Sequence, residues 1–234
     1  MKRLLIVSNR LPVRVTKRDG GLRFHKSSGG LATGLGSFYK AYKSLWIGWP
    51  GIAEERLNKE DKRRIIERLE EDNCYPIFLT KSDIENYYYG FCNKVIWPLA
   101  HYFPLYVRYD KKYWEIYQKV NKLFNKVLSK IATKEDIIWL QDYHLLLLPA
   151  MLRNRIPDAS IAFFLHIPFP SFEIFRLLPW REEILKGMLG ADLIGFHIYD
   201  YVKHFLETTH QLTNYDYEMG YIRLDNRVVK VDAF

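Results

Sequence analysis

The strongest indication of the fold is the sequence IIWLQDYHLLLLPAMLRNRIPDASIAFFLHIPFPSFEIFRLLP, at residues 137–179. Two short apolar runs within it have the composition of strands that are buried on both faces. The first run leads into Asp142, Tyr143 and His144, and the second leads into His166. Because the carboxyl ends of parallel strands meet at one edge of a sheet and bind ligands there, these polar side chains predict a functional site.

Strand and helix patterns alternate on both sides of this stretch. Apolar runs at 3–8 and 45–49 predict two further buried strands, and the spacing of apolar residues predicts helices over 58–72 and 109–131. Strands that alternate with helices form βαβ units. The sequence therefore predicts one α/β domain over residues 1–234, built on a doubly wound, mainly parallel sheet.

Two turn signals predict β-hairpins. The sequence DGG at 19–21 separates two short alternating runs and predicts a hairpin near the N-terminus, and Asp225-Asn226 predicts another over 221–231. Short helices are predicted at 82–88, which leads into three consecutive tyrosines at 87–89, and at 144–154, which begins at the last of the first group of site residues.

The charge and cysteine content narrow the classes of function. The net charge is +8, from 35 Lys and Arg residues against 27 Asp and Glu, and the excess is spread along the chain. Spread positive charge suits a small acidic substrate such as a phosphate, and no motif for reading a nucleic-acid groove occurs. Cys74 and Cys92 lack metal-ligand spacing, and no apolar stretch is long enough to cross a membrane. We therefore expect a cytoplasmic protein that binds neither nucleic acid nor a membrane.

Arg10, Gly29 and Gly30 are candidates for binding a phosphate. Arg10 directly follows the first strand and its guanidinium presents a fork of donors, although the same residue could simply pair with a surface carboxylate. Gly29 and Gly30 precede a helix pattern, where backbone amides can approach an anion, although paired glycines also mark plain turns. Neither the P-loop motif nor the dinucleotide-binding motif occurs.

Aromatic residues make up 16% of the chain and include Trp46, Trp49, Tyr88 and Trp97. Aromatic rings pack against the apolar faces of sugars, while their N–H and O–H groups bond to the hydroxyls at the edge. Tryptophans also build ordinary cores, so both interpretations of this set stay open.

Asp142 and His166 are the sharpest candidates for chemistry. A carboxylate at a strand end accepts hydrogen bonds from sugar hydroxyls, and a histidine there can contact a second ligand. Asp142 could instead cap the helix that is predicted to begin near His144. These residues lack the spacing of a zinc site, and no nucleophile elbow or Cys/His pair occurs, so metal and covalent catalysis are not expected.

Seven longer motifs occur in one order along nearly the whole chain. They are VSNRLPV (7–13), SSGGLATGL (27–35), LWIGWPG (45–51), YYYGFCNKVIWPLAHY (87–102), WLQDYHLLLLPAMLR (139–153), FFLHIPFPSFEIFRLLPWR (163–181) and DLIGFHIYDYVKHF (192–205). The series resembles that of trehalose-6-phosphate synthase, a family of retaining, two-lobed glycosyltransferases of the GT-B type. The resemblance implies that this chain is the N-terminal, Rossmann-like lobe, with helices on both faces of its sheet and a β-hairpin insertion at 13–25.

The reaction that the resemblance implies is a glucosyl transfer. The family moves glucose from UDP-glucose to glucose 6-phosphate and forms α,α-trehalose 6-phosphate with retained configuration, without a metal or other cofactor. No protein nucleophile is then needed, because the departing diphosphate takes the proton of the attacking hydroxyl while the protein orients and stabilises the reactants.

The resemblance also implies a role for each candidate residue, by its position in the motifs. The acceptor is held by Arg10, Trp49, Tyr88, Trp97, Asp142 and Tyr143. The donor is contacted by Gly29, Gly30 and His166, and the reacting centre contains Asp142 and His166. The positions linked to anomer selection are Trp97 and Ile167.

Chains of this family continue past the position that matches Phe234 into a second lobe, which supplies most donor contacts. We therefore expect this chain to form the acceptor side, to be inactive alone, and to act with a complementary C-terminal lobe or as a homo-oligomer. Two alternatives stay open: a regulatory protein that binds glucose 6-phosphate without catalysis, and a related transferase with another acceptor such as glycerol 3-phosphate. The intact set of Tyr88, Trp97 and Asp142 favours the sugar phosphate.

Overall fold

The structure, a computed structural model, describes residues 2–18, 20–26 and 44–234. Its strands are β1 (Leu4–Arg10), β2 (Val13–Arg18), β3 (Gly21–Lys26), β4 (Ser44–Trp49), β5 (Cys74–Pro76), β6 (Ile137–Gln141), β7 (Ser160–Phe164), β8 (Leu193–Phe196), β9 (Tyr217–Glu218), β10 (Tyr221–Arg223) and β11 (Val228–Ala233). Its helices are α1 (Lys59–Glu70), α2 (the continuous helical segments Lys81–Asp83, Ile84–Ile96 and Trp97–Ala100), α3 (Lys111–Ile131), α4 (Leu148–Arg155), α5 (Phe172–Phe175), α6 (Arg181–Met188) and α7 (Tyr199–Thr213). None of these helices is long and apolar enough to cross a membrane.

One nine-stranded sheet organises the described part of the chain, in the order β5-β4-β1-β6-β7-β8-β11-β10-β9. Neighbouring strands are parallel from β5 through to β11. The last two strands, β10 and β9, are added antiparallel at the edge. The two runs of the 137–179 stretch lie side by side as β6 and β7, with Ile138 opposite Ile161. The predicted α/β class and mainly parallel sheet are therefore confirmed.

Helices pack on both faces of the sheet, but the described helices cover the second face only in part, since Trp139, Ala162 and Phe164 line an open apolar groove there. Along β1, Leu5 and Val7 belong to the larger core, which contains residues of α3, α4, α6 and α7, whereas Ile6 belongs to a second core under α1. Alternate residues of a strand point to opposite faces, so a strand that is apolar at every position needs a cover on each side. Helix α1 is fixed at its start by a capping box, in which the side chains and backbones of Asn58 and Asp61 bond reciprocally.

Both predicted hairpins are present. Strands β2 and β3 pair antiparallel from Val13 opposite Lys26 to Arg18 opposite Gly21, apart from the sheet of nine. Strands β10 and β11 pair antiparallel around Asp225-Asn226, and β11 then joins the sheet parallel to β8.

Two helices differ from their predicted bounds. The helix predicted at 82–88 extends to Ala100 as α2, most of it with π-helical bonding, a rare geometry that frequently lies at functional sites. The helix predicted at 144–154 begins as a separate 3₁₀ turn, Tyr143–Leu145, and α4 starts only at Leu148. Pro149 explains the second difference, because a proline is compatible with the first turn of a helix and not with its interior.

Candidate active site

Four strand ends bring the predicted site residues to one edge of the sheet. Arg10 is the last residue of β1 and Trp49 the last residue of β4. Asp142 directly follows β6, and His166 lies two positions after β7. The order β4-β1-β6-β7 makes these four ends neighbours. The ends before Asp142 and His166 thus meet at one edge, as expected, while the role of each residue stays a prediction.

A local irregularity turns Arg10 out of the sheet. The pairing of β1 with β4 shifts between Val7 and Arg10, as in a β-bulge. The hydroxyl of Ser8 holds this distortion, since it donates to the backbone oxygen of Arg10 at 2.6 Å and accepts from Nε1 of Trp46 at 2.7 Å. Its result is an exposed arginine beside a buried tryptophan, Trp49.

Two aromatic rings hold the guanidinium of Arg10. Its Cζ lies 4.6 Å from the centre of the Trp49 ring and 5.1 Å from that of Tyr88. Such contacts are attractive because the face of an aromatic ring is electron-rich. No carboxylate within the described ranges pairs with Arg10, so the interpretation as a surface ion pair has no support there. The guanidinium keeps its N–H donors for a ligand.

His144 lies between Tyr88, which contacts the guanidinium of Arg10, and Asp142. Its ring stacks on that of Tyr88, with centres 5.7 Å apart and planes 11° apart. Burial, helped by the positive charge of Arg10, lowers the pKa of His144 to about 3. The ring is therefore neutral at pH 7, and its Nδ1 lies 3.9 Å from Oδ2 of Asp142.

Asp142 ties the ends of β6 and β7 together. Its Oδ1 accepts the backbone N–H of Tyr143 at 3.0 Å and that of His166 at 3.2 Å. The bond to Tyr143 caps the short 3₁₀ turn, so the capping interpretation holds for this oxygen, while Oδ2 has no hydrogen-bond donor among the residues described. The backbone of Asp142 has a φ of 75°, a conformation that side chains other than glycine adopt at a cost in energy.

The pKa of Asp142 is raised to about 6. Burial of the carboxylate is the cause, and the two backbone N–H groups only partly offset it. A carboxylate that titrates near neutrality can accept hydrogen bonds from hydroxyl groups and can also exchange a proton with them.

His166 is partly exposed and neutral at pH 7. Burial, together with the neighbouring His197, lowers its pKa to about 4. The centres of the two imidazole rings lie 5.4 Å apart. The Nε2 atom of His166 lies 2.8 Å from Oε1 of Gln141, the last residue of β6.

Tyr143 and Ile167 lie beside this group, under the surface. Together with Ile96 they line an apolar cavity of about 30 Å³. The hydroxyl of Tyr143 donates to Oδ1 of Asn93 at 3.4 Å, and burial raises its pKa.

For Trp97 and the glycine pair, the structure describes no contact with the other candidate residues. Trp97 is 41% exposed and stacks on His101, with ring centres 4.0 Å apart, rather than on the Arg10 group. Gly29 and Gly30, with the helix predicted after them, lie outside the described residues.

Three buried polar atoms at this edge have no hydrogen-bond partner within the described ranges: Oδ1 of Asn9, Nε2 of Gln141 and Nε2 of His144. Buried polar groups are nearly always paired, so a cluster of unpaired ones indicates a site with a function other than stability. Sequence reasoning passed over Asn9, Gln141 and His197. A signal for Gln141 was present, since it is a polar residue at the end of an otherwise apolar strand.

Comparison with known proteins agrees with this geometry. Residues 2–234 match the sequence pattern of glycosyltransferase family 20. The chain belongs to this family. The predicted resemblance to trehalose-6-phosphate synthase is thereby confirmed.

Several relatives of this family carry the name alpha,alpha-trehalose-phosphate synthase (UDP-forming). Synthase 1 of Aspergillus niger is 42% identical over 238 residues, which cover 99% of this chain and 46% of that protein. The 56 kDa subunit from Saccharomyces cerevisiae is 41% identical, with 99% of this chain and 48% of that protein covered. The chain thus spans about half the length of the curated relatives it matches.

Solved structures show the same fold. The UDP-forming synthase of Burkholderia xenovorans superposes with a TM-score of 0.81 at 33% identity, covering 100% of this chain and 48% of that one. An E. coli protein solved with UDP-2-fluoro glucose gives 0.81 at 30% identity, with the same coverage. The N-terminal domain of trehalose-6-phosphate phosphatase from Candida albicans gives 0.82 at 28% identity, also covering 100% and 48%. The GT-B lobe predicted from the sequence is confirmed as the fold.

Proposed function

We propose that this chain forms the acceptor side of a trehalose-6-phosphate synthase active site. The proposed reaction transfers glucose from UDP-glucose to glucose 6-phosphate and gives α,α-trehalose 6-phosphate with retention. The observation that carries the proposal is the guanidinium of Arg10, which contacts Trp49 and Tyr88 at the same sheet edge as Asp142 and whose donors have no partner among the described residues. A guanidinium is well suited to bind a phosphate, and aromatic rings beside a carboxylate are well suited to bind a sugar.

In this proposal each group of the pocket binds a particular part of glucose 6-phosphate. Arg10 binds the phosphate of glucose 6-phosphate, Trp49 and Tyr88 form the wall against its sugar ring, and Oδ2 of Asp142 accepts from an acceptor hydroxyl. In this proposal Tyr143 completes the acceptor pocket from below, and Trp97 and Ile167 limit which anomer fits.

The donor side of the proposal rests on His166, Gly29 and Gly30. His166 contacts the donor sugar, and the glycine pair lies against the diphosphate. The remaining donor contacts come from the half of the relatives' length that this chain does not match. That half is either a complementary lobe or the continuation of the same protein, and a homo-oligomer is the alternative assembly. A cytoplasmic location belongs to the same proposal, because Cys74 and Cys92 are buried free thiols.

In the proposed reaction the side chains only orient the two substrates and stabilise charge. Acceptor and donor are held so that the acceptor hydroxyl attacks from the side of the leaving diphosphate, which takes the proton of that hydroxyl. Arg10 fixes the acceptor through its phosphate, and Asp142 and His166 orient hydroxyl groups near the reacting carbon. Positioning of this kind removes much of the entropic part of the barrier.

The test is a titration of the chain with glucose 6-phosphate, followed by ligand-observed NMR, with glucose as the ligand control. Arg10→Ala should weaken binding about tenfold or more, because a charge-assisted hydrogen bond to phosphate contributes about 1.5–3 kcal/mol. The matched control is Arg64→Ala, an exposed arginine on α1 away from the sheet edge, which should leave binding unchanged. Equal binding of glucose and glucose 6-phosphate, or an unaffected Arg10→Ala variant, would contradict the proposal.

A second candidate is a regulatory protein that binds glucose 6-phosphate without catalysis. The likeness to the N-terminal domain of a trehalose-6-phosphate phosphatase favours it, because that protein has this fold under a different activity. Adding a chain that carries the missing half of the synthase relatives distinguishes the two. A synthase lobe should then release UDP from UDP-glucose in the presence of glucose 6-phosphate, and a regulatory protein should not.

A further inference from the structure

Gln141 is a buried amide whose position the proposed reaction does not explain. It ends β6, directly before Asp142, and its side chain is fully buried in a strand whose other inward residues are apolar. Its Oε1 lies 2.8 Å from Nε2 of His166, while its own Nε2 has no partner among the described residues. An amide with an unpaired buried N–H lowers stability, so this glutamine is poorly explained as a packing residue.

The hydrogen bond between Gln141 and His166 determines which ring nitrogen carries the proton. A carbonyl oxygen can only accept, so the hydrogen between the two side chains belongs to Nε2 of His166. The ring is neutral, because burial and His197 lower its pKa to about 4, and a neutral imidazole has a single N–H. Its Nδ1 is therefore a bare acceptor.

We propose that Gln141 is a positioning residue that holds His166 as the Nε2–H tautomer and leaves Nδ1 to accept a hydrogen bond from a ligand hydroxyl. The identity of that ligand as the donor sugar rests on the proposed function. A bare nitrogen attracts a hydroxyl proton and repels an anionic oxygen. His166 thus recognises a sugar hydroxyl at this point of the site and discriminates against a phosphate.

The tautomer can be measured directly in the chain labelled with ¹⁵N-histidine, by long-range ¹H–¹⁵N correlation at pH 7.5. His166, assigned by the loss of its signals in His166→Asn, should carry its proton on Nε2, and this proton should exchange slowly with water. His204 is an internal control with the opposite tautomer, because its Nδ1 lies 3.0 Å from the backbone oxygen of Phe169. A proton on Nδ1 of His166 would overturn the proposal.

Two variants separate positioning from packing. Gln141→Leu keeps the approximate volume and removes the acceptor, so exchange of the ring proton should accelerate about tenfold and the Nδ1–H form should become detectable. Gln141→Glu keeps an acceptor and should preserve the Nε2–H form. It should also raise the pKa of His166, since a carboxylate would then lie beside the ring, where His197 is the neighbouring titratable group; Asp142 contacts only the backbone N–H of His166. An unchanged exchange rate of the His166 ring proton in Gln141→Leu would overturn the proposal. If Gln141→Leu does not fold, the tautomer of the wild type and that of Gln141→Glu still test it.

The ligand is tested in the same spectra with UDP and UDP-glucose as probes. A hydroxyl that donates to Nδ1 should shift its ¹⁵N signal with UDP-glucose and not with UDP. A shift with UDP alone would overturn the discrimination against phosphate. An unchanged Nδ1 signal at millimolar UDP-glucose would count against the donor role of His166, and so against the proposed function, while the tautomer measured without ligand would stand.

Discussion

Asp142→Asn is expected to make the chain more stable than the wild type at pH 7, by up to about 3 kcal/mol, and equally stable near pH 4. Burial raises the pKa of Asp142 from 3.8 to about 6, and a tenfold change in proton affinity corresponds to about 1.4 kcal/mol. Asparagine has the same shape and keeps an oxygen for the backbone N–H groups of Tyr143 and His166. It removes only the cost of burying a charge. The value is an upper bound, because the side chain is 22% exposed.

The direction of the pH dependence follows from which state holds the proton. Below about pH 4 the Asp142 carboxyl is protonated in both the folded and the unfolded chain, so it contributes no difference between them. Between about pH 4 and 6 the folded chain keeps the proton that the unfolded chain has lost, so stability falls as pH rises. His144 and His166, whose pKa values are lowered, act in the opposite direction, and they do so in both proteins.

Urea unfolding at pH 4 and pH 7 checks this expectation. Asp136→Asn is the matched control, because Asp136 is also buried, yet hydrogen bonds from Arg3 and Thr133 outweigh desolvation and lower its pKa. That variant should lose stability at pH 7. An equal difference between Asp142→Asn and the wild type at both pH values would contradict the prediction. A stabilised variant that no longer binds glucose 6-phosphate would show that Asp142 is retained for its ligand.

Gly48→Ala is expected to lower the free energy of unfolding by about 2–3 kcal/mol and to weaken glucose 6-phosphate binding at the same time. A methyl group at Gly48 would lie 2.6 Å from the backbone oxygen of Ser8 and 3.1 Å from the backbone carbon of Arg10. Both contacts are with backbone atoms of β1, so the strand has to move. Its movement would displace Arg10 from Trp49 and Tyr88, which now hold the guanidinium.

The measurements are urea unfolding and the titration with glucose 6-phosphate. Gly20→Ala is the control, because a methyl group there would meet only the end of the flexible Arg23 side chain, at 3.9 Å. It should change stability by less than about 0.5 kcal/mol and leave binding intact. A Gly48→Ala variant that behaves like Gly20→Ala would show that the close approach of β4 to β1 does not support the site.

The pattern of apolar residues was sufficient to predict the parallel sheet and the edge of it at which the site lies. Apolar runs such as those before Asp142 and His166 are typical of strands in a parallel sheet, and the carboxyl ends of parallel strands meet at one edge. The prediction of burial on both faces holds only in part, because Trp139 and Phe164 stay partly exposed among the described residues. The predicted start of the helix after Asp142 was wrong by four residues, although Pro149 indicates a first helical turn at that position.

The side chains that contact one another, and their charge states, became evident only from the packing of distant segments. The stacking of Arg10 on Trp49 and Tyr88 depends on a bulge in β1 and on the path of α2, which are distant in sequence. The same holds for Gln141 and His166, which come from adjacent strands. The pKa values of Asp142 and His166 depend on how much water the whole fold excludes. Burial and side-chain contact are properties of the packed chain, and a local pattern of residues does not contain them.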